Sequence, residues 1–249
     1  MKKTLACALM MTALAGWAQQ TAGEIAYDET IDLHRRIPAQ DAQMKAMIPP
    51  TRTIAKILRF DGDISLYVAG PEAPPPPPPP GAGGEGRPMR MMFNRAEAVW
   101  YLDQAQNQLI EQRVFFERKF LIQDELPVYE WKLTGKQKQV LNFVCQEATF
   151  QDSLRSVSAW FTTEIPVPIG PEGFGQLPGL ILEVDLNQGE RVIKAREIKT
   201  KAPDKALLAP PSEGKTVTRE EFRAMVDQKM KEMQSEMGGN GGTWIIRRP

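Results

Sequence analysis

The sequence predicts a mainly β protein, a strongly curved antiparallel meander of half-barrel or open-barrel form with one C-terminal helix. Three observations support this prediction. About ten segments rich in β-branched and aromatic residues follow one another along the chain, several with alternating apolar parity. Short polar turns join these segments, without the long amphipathic helices that a parallel α/β fold requires. Apolar residues recur at helical spacing only near the C terminus.

The first predicted strands show the alternation clearly. In GEIAYDETIDLHRR, Ile25 and Tyr27 share a parity with the apolar residues that follow them. The next two strands, TIAKILRF and DISLYV, are separated by an Asp-Gly pair that is typical of a hairpin. In the second of these, Ile64, Leu66 and Val68 alternate with neighbours that are predicted to be polar or exposed. The stretch LIEQRVFFERKFLI is rich in aromatic and β-branched residues, so we predict strand rather than helix there.

The chain divides into three parts. Residues 1–18 form a predicted signal peptide, in which Lys2 and Lys3 precede an apolar run of about a dozen residues. Residues 19–203 form the β domain, interrupted at 70–88 by an insert that contains a run of prolines and a glycine-rich tail. Residues 204–249 hold a linker, a methionine-rich helix at 219–237 and a tail. Cleavage after residue 18 places the protein in the periplasm or at the outer membrane.

Composition excludes several classes of function. The formal net charge is zero and basic residues are not clustered, which excludes a nucleic-acid binder. No segment after the leader is long and apolar enough to cross a bilayer as a helix. Cys145 is the one thiol outside the leader and is interpreted as a buried apolar residue, and His34 is the one histidine. With Glu183 and Asp185 interpreted as solvent-facing, no catalytic constellation emerges, and neither an enzyme nor a cofactor is predicted.

The predicted C-terminal helix leaves three alternatives open. Thr218 and Glu221 form a capping box at its start. The helix carries an apolar stripe of Phe222, Val226, Met230, Met233 and Met237. Packing of this stripe on the β domain is the main expectation. A partner contact is the second alternative. The third is a soft metal such as copper, held by the sulfurs of Met230, Met233 and Met237.

The stretch GPEGFGQLPGLILEVD at 170–185 combines prolines and glycines before an apolar strand. Residues 177–180 suit a type II turn, with a positive φ at Gly179, and residues 170–173 suit a second turn. Phe174 and Leu177 are expected to plug one end of the core. The residues assigned to this structural loop, with a possible ligand or partner contact, are Gly170, Pro171, Phe174, Gly175, Leu177, Pro178, Gly179, Leu180 and Ile181.

This stretch resembles the hallmark of the GLPGLI family, a functionally uncharacterised group of exported proteins found largely in Bacteroidetes-type bacteria. Gln176 stands where the family motif begins with glycine. The resemblance extends over residues 128–186, through Trp131, Cys145 and the AWFT and EIP steps. The meander is similar to envelope carriers of the lipoprotein-carrier type.

The resemblance and the predicted meander together lead to one expected function. We expect an exported, non-enzymatic envelope protein that presents an apolar concave face to a lipid, a peptide or an outer-membrane protein partner. Soft-metal binding through the methionine-rich segments is the alternative, and a carboxylate-based hydrolase is a remote one.

Overall fold

The computed structural model describes residues 21–71, 98–153 and 155–237. The predicted signal peptide, most of the 70–88 insert and the tail after 237 lie outside the described residues. The strands are β1 Ala22–Asp32, β2 Thr51–Asp61, β3 Ile64–Ala69, β4 Val99–Asp103, β5 Gln108–Phe115, β6 Arg118–Glu125, β7 Lys132–Val140, β8 Phe143–Gln151, β9 Ser156–Thr162, β10 Leu180–Leu186, β11 Arg191–Lys199 and β12 Lys215–Thr218. The helices are α1 Ala42–Met47 and α2 Arg219–Met237.

These strands form a single curved sheet of twelve strands in the order β12-β6-β5-β4-β3-β2-β1-β11-β10-β9-β8-β7. Two antiparallel meanders, β1 to β6 and β7 to β11, are joined where β1 pairs with β11. The short β12 lies parallel to β6 at one edge, and β7 forms the other edge. The sheet does not close into a barrel. The predicted fold class, an open half-barrel with one C-terminal helix, is therefore confirmed.

The largest core lies on one face of the sheet and contains the predicted face of β1. Ile25 and Tyr27 are fully buried there, and Tyr67 of β3 packs edge-to-face on Tyr27. Ile64, Leu66 and Val68 share one face of β3 as predicted, but the neighbours on the other face are not exposed, since Ser65 and Tyr67 are buried. Tyr67 faces this core, whereas Leu66 faces the opposite side and packs near Leu208 of the C-terminal linker. Because this strand is covered on both faces, its apolar alternation did not identify the inner one.

The opposite face of β10 also differs from expectation. Glu183 was predicted to face solvent, but its side chain is buried beneath Lys138 of β7 and Lys194 of β11. Lys138 Nζ lies 2.6 Å from Glu183 Oε1 and 4.1 Å from the centre of the Trp160 ring. The long lysine stems cover the carboxylate, which is why a polar strand face here is not an exposed one.

Helix α2 packs against the β6 and β12 edge. Thr218 and Glu221 form the predicted capping box, with reciprocal hydrogen bonds of 2.8 and 3.1 Å. Phe222 and Val226 are buried in a cluster with residues of β5, β6 and β12. Arg219 binds the buried Glu111 of β5, which fixes the start of the helix on the sheet. In the described parts of the chain, no helix is both long and apolar enough to cross a membrane.

Candidate functional site at the motif loop

The motif loop, residues 163–179, connects β9 to β10 and lies against the main core. It forms a bridge between Ile169 and Gly175, and Gln176 donates its backbone N–H to the Pro168 carbonyl at 3.1 Å. The buried apolar side chains of the loop are Ile165, Val167, Ile169, Phe174 and Leu177. Phe174 and Leu177 thus lie where they were expected, inside the core. The loop fills the interior of the curved sheet instead of leaving it open.

Gly179 is essential to this packing for a reason other than the predicted one. Its φ lies outside the left-handed region, and its N–H donates to the Leu177 carbonyl at 2.7 Å, so the predicted type II turn is wrong. A Cβ built on Gly179 would lie 2.0 Å from the carbonyl oxygen of Thr162. The glycine is therefore required by the close approach of two backbones where β9 ends and β10 begins.

The second predicted turn is present one residue later. Phe174 N donates to the Pro171 carbonyl at 3.0 Å, and the two central residues, Glu172 and Gly173, have φ of 53° and 81°. These angles define a type I′ turn. Gly173 adopts this conformation without strain, whereas Glu172 is a buried non-glycine residue held in the left-handed region.

A buried ion triad holds that turn in place. Both carboxylate oxygens of Glu172 accept hydrogen bonds from the Arg191 guanidinium at 2.6 Å, and Glu29 accepts a third at 3.0 Å. Burial alone lowers the pKa of Arg191, but the two carboxylates outweigh it and raise the pKa above its usual value. The arginine is therefore charged at any physiological pH. This triad ties the loop to β1 and β11.

Polar groups without a hydrogen-bond partner accompany the triad. Among the described residues, Glu29 Oε2 of the triad and the nearby Tyr67 Oη are buried and have no such partner. Burial raises the pKa of Tyr67, and the charges of Glu172 and Glu29 raise it further, so the phenol stays protonated. The sequence analysis missed this cluster. The one signal in the sequence was Glu29, a carboxylate at a position that shares the predicted buried face of β1 with Ile25.

The motif loop also connects the two halves of the sheet. Residues 126–131 cross from β6 to β7, and Trp131 Nε1 in this crossover donates to the Gly175 carbonyl at 2.9 Å. Gln176 accepts from Tyr129 N at 3.1 Å and donates to the Pro127 carbonyl at 2.7 Å. Gln176 has a φ of 65°, in the left-handed region that glycine adopts more readily than other residues. The glutamine side chain compensates with two hydrogen bonds to the crossover.

A groove opens at the rim between the loop and the crossover. Its volume is about 200 Å³. It is lined by Leu102, Gln104, Leu126, Pro127, Pro168, Gly173, Gly175 and Gln176. Gly173 and Gly175 present backbone to the groove because they have no side chains to fill it. Of the residues assigned to the loop from the sequence, Gly175 lines this groove, whereas Phe174, Leu177, Leu180 and Ile181 are buried in the core.

The chemistry of this region favours binding. The groove offers apolar walls and amide groups, and its rigid backbone is fixed by the triad and the crossover.

Burial raises the pKa of the Cys145 thiol to about 11, so it stays protonated at neutral pH. Within the described residues, no group of three or more histidine, cysteine or acidic side chains is arranged to hold a metal ion. The side chains of Met233 and Met237 lie outside the described residues, so the soft-metal alternative stays a prediction.

Comparison with known proteins places this loop in the segment that is shared with a family. Residues 152–183 match the model of a family described as a protein of unknown function, Porph_ging. This segment includes β9, the motif loop and the beginning of β10. No curated protein matches the chain.

Solved structures resemble the chain at the level of the fold. Two structures of PNGF-II, in the C2 and P21 space groups, each have a TM-score of 0.53 and 17% sequence identity with it. They cover 83% and 84% of this chain, which in turn spans about a third of their length, 33% and 34%. At this identity the similarity shows a common fold and nothing further.

Proposed function

We propose that this chain is an exported, non-enzymatic binding protein of the cell envelope and a member of the GLPGLI family. Its binding surface is the rim groove between the motif loop and the crossover. The match of residues 152–183 to a family of unknown function supports the family assignment, because that segment contains the motif loop. The observation that carries the proposed function is the groove itself, formed by a loop that is hydrogen-bonded to the crossover.

A protein partner fits the groove better than a lipid does. The groove has about 200 Å³, less than the roughly 300–1,000 Å³ of typical small-molecule pockets. The interior that a lipid carrier would keep open is filled here by Phe174, Leu177 and their neighbours. A pocket of this size accepts one or two apolar side chains from a peptide, in the manner of an interface hot spot. The partner is therefore a peptide or the exposed segment of a membrane protein.

Filling the groove tests this proposal. Gln104 lines the groove and is partly exposed, so Gln104→Trp would occupy the space with an indole without opening the core. The neighbouring Ala105 is exposed and does not line the groove, which makes Ala105→Trp a matched control. Peptides selected from a displayed random library on the wild-type chain are then titrated against both variants by calorimetry.

We expect the selected peptides to carry an apolar anchor. Their affinity should fall at least about tenfold with Gln104→Trp, the equivalent of roughly 1.4 kcal/mol, and stay unchanged with Ala105→Trp. Selection that yields no binder, or binders equally tolerant of both tryptophans, would exclude the groove as the binding surface.

Export is tested separately. We expect the mature protein to begin at Gln19, because small residues precede the proposed cleavage point after Ala18. N-terminal sequencing of the protein from its native host, combined with fractionation of the envelope, measures this. Recovery of the full-length chain from the cytoplasm would contradict the assignment to the envelope.

A further inference from the structure

A second groove lies at the edge of the sheet where β6, β12 and α2 meet. It has a volume of about 360 Å³. It is lined by Arg118, Lys119, Phe120, Gly214, Lys215 and Met225. None of these residues belongs to the motif loop or to the rim groove. Its volume is within the range of small-molecule sites, roughly 300–1,000 Å³.

The floor of this groove is apolar. Phe120 is buried and packs edge-to-face on Phe222 of α2, with ring centres 5.5 Å apart. Met225, one turn further along the helix, is half-buried against the same cluster. The methionine side chain is unbranched and adapts its shape to a bound chain. The floor therefore offers an apolar surface that rests on a fixed aromatic base.

The rim of the groove is cationic. Arg118, Lys119 and Lys215 are all exposed. Lys119 is paired with Glu213, its Nζ 2.5 Å from the carboxylate oxygen. Arg118 and Lys215 form no ion pair with any residue in the described parts of the chain. Two cations next to an apolar floor are thus available to an anionic group.

The backbone sets the shape of this groove before any ligand arrives. Lys215 is the register partner of Phe120 in the parallel β12–β6 pair. Gly214 has a φ of 138°, and a Cβ built on it would lie 2.9 Å from the backbone of Lys119. Only glycine allows the chain to enter β12 this close to β6. The cationic residues and the apolar floor are therefore held in a fixed relation.

We propose that this groove binds a single-chain anionic amphiphile, a long-chain fatty acid carboxylate. Its carboxylate accepts charge-assisted hydrogen bonds from Arg118 and Lys215, and its alkyl chain lies on Phe120 and Met225. A cationic amphiphile is disfavoured by the rim, and a short anion lacks the apolar contact. An acidic peptide would pair with the cationic side chains of the rim but would leave the apolar floor in contact with water. The site is independent of the rim groove.

Calorimetric titration of the full chain with dodecanoate, below its micelle concentration, tests this proposal. Acetate is the head-only control, and dodecyltrimethylammonium is the control with the opposite charge. We expect dodecanoate to bind at least about tenfold more tightly than either of them. Equal binding of all three, binding of an oligoglutamate peptide as tight as that of dodecanoate, or no binding of dodecanoate would overturn the proposal.

Matched variants locate the site. Arg118→Gln combined with Lys215→Gln should weaken dodecanoate binding at least about tenfold, whereas the exposed pair Lys132→Gln and Arg196→Gln should not change it. Met225→Ser should also weaken binding, and Met225→Leu should retain it because leucine keeps the apolar contact. A rim variant that binds like the wild type would overturn the assignment.

Thermal melting of each variant verifies that it is folded. Gln104→Trp, which fills the rim groove, should leave dodecanoate binding intact, so failure of the proposed function and failure of this site can be distinguished. If Gln104→Trp abolished dodecanoate binding, the amphiphile would have to bind in the rim groove, and this second site would be excluded.

Discussion

Gly179 lies against the backbone of the neighbouring strand, and this contact leaves no room for a side chain. We expect Gly179→Ala to lower the free energy of unfolding by about 3 kcal/mol, the upper end of typical overpacking costs, because its Cβ would lie 2.0 Å from Thr162 O. Gly62 provides the control, since its φ is 60° and a Cβ would meet nothing within 4 Å. Strain alone should make Gly62→Ala cost about 1 kcal/mol.

Urea denaturation of both variants measures the difference. If Gly62→Ala proved the more costly of the two, the close approach of β9 and β10 would not be the reason for the glycine, and the backbone conformation would have to explain it.

The triad around Arg191 gives a second expectation for single residues. Glu172→Gln keeps the shape of the side chain and removes one charge from a buried, bidentate pair. We expect a loss of about 3–5 kcal/mol, because a buried arginine is left with Glu29 alone. The exposed pair of Asp28 and Arg196, 3.5 Å apart, is the control, and Asp28→Asn should cost less than about 1 kcal/mol.

Chemical denaturation again gives the free energies, and amide hydrogen exchange of residues 170–175 reports whether the turn has loosened. Equal costs for the two variants would mean that the triad does not fix the motif loop.

Sequence reasoning identified the loop but not the contacts that fix it. The prolines and glycines of 170–179 mark the turns because their backbone preferences are local. Arg191 and Glu29 are distant in sequence from Glu172, and no local pattern joins three charges from three elements. The same limit applies to Gly179, since its neighbour is set by the pairing of β9 with β10 and not by its own dihedral angles.

Among the elements, α2 offers the clearest test of the three alternatives for the methionine-rich helix. We expect Phe222→Ala to cost about 3–5 kcal/mol, because its ring is buried between Phe115 and Phe120. Met230 is half-buried against the same cluster, so Met230→Leu should cost less than about 1.5 kcal/mol. Thermal and urea unfolding measure both changes.

A copper titration of the Met230→Leu variant serves as the second measurement. Packing predicts that the wild type and the variant behave alike towards monovalent copper. Loss of a copper site in the variant, with stability unchanged, would instead favour the soft-metal alternative.

The alternation of apolar residues along the strands was predictable from the sequence. Which faces of each strand are covered by other parts of the chain was not. The aromatic and β-branched residues of β5 and β6 are enough to exclude a helix there. In β3 the alternation of Ile64, Leu66 and Val68 holds, but it did not reveal that Tyr67 is also buried, on the opposite face. The short β12 has only four residues and pairs in parallel, so it leaves no recognisable signal in the sequence.

At the scale of the whole molecule, the buried thiol and phenols predict a loss of stability in alkali. The pKa of Cys145 is raised by burial from 9.0 to about 11, and those of Tyr27 and Tyr67 are raised above 10.0 for the same reason. A group with a raised pKa in the folded state contributes stability that is complete below its unfolded pKa and is lost as the pH rises above it. Stability should therefore fall from about pH 9 upward.

Urea unfolding at intervals between about pH 8 and pH 11 measures this fall. The Cys145→Ala variant isolates the part of the fall that is due to the thiol. The variant should lose less stability than the wild type between about pH 9 and pH 11, because alanine has no proton to release. An identical slope for the two proteins would contradict the burial of an unionised thiol.

The fold class was predictable from the whole sequence because many strands with short turns favour a meander. The open interior expected of a carrier was not found in the described residues. The sequence placed only Phe174 and Leu177 of the motif loop in the core, whereas five buried apolar side chains of the loop belong to it. How the two halves of the sheet meet was also beyond the sequence, since pairing between β1 and β11 has no local cause.

That central pairing has a consequence for how the chain folds. Glu24 of β1 lies opposite Lys199 of β11, 175 positions later. During synthesis the middle of the sheet therefore stays incomplete until most of the chain has emerged, while each hairpin can form on its own. Long-range pairing of this kind slows folding, because the entropy of closing a large loop is lost before the contacts form. Each half exposes an unpaired strand edge during that interval, so refolding should be slow and prone to association.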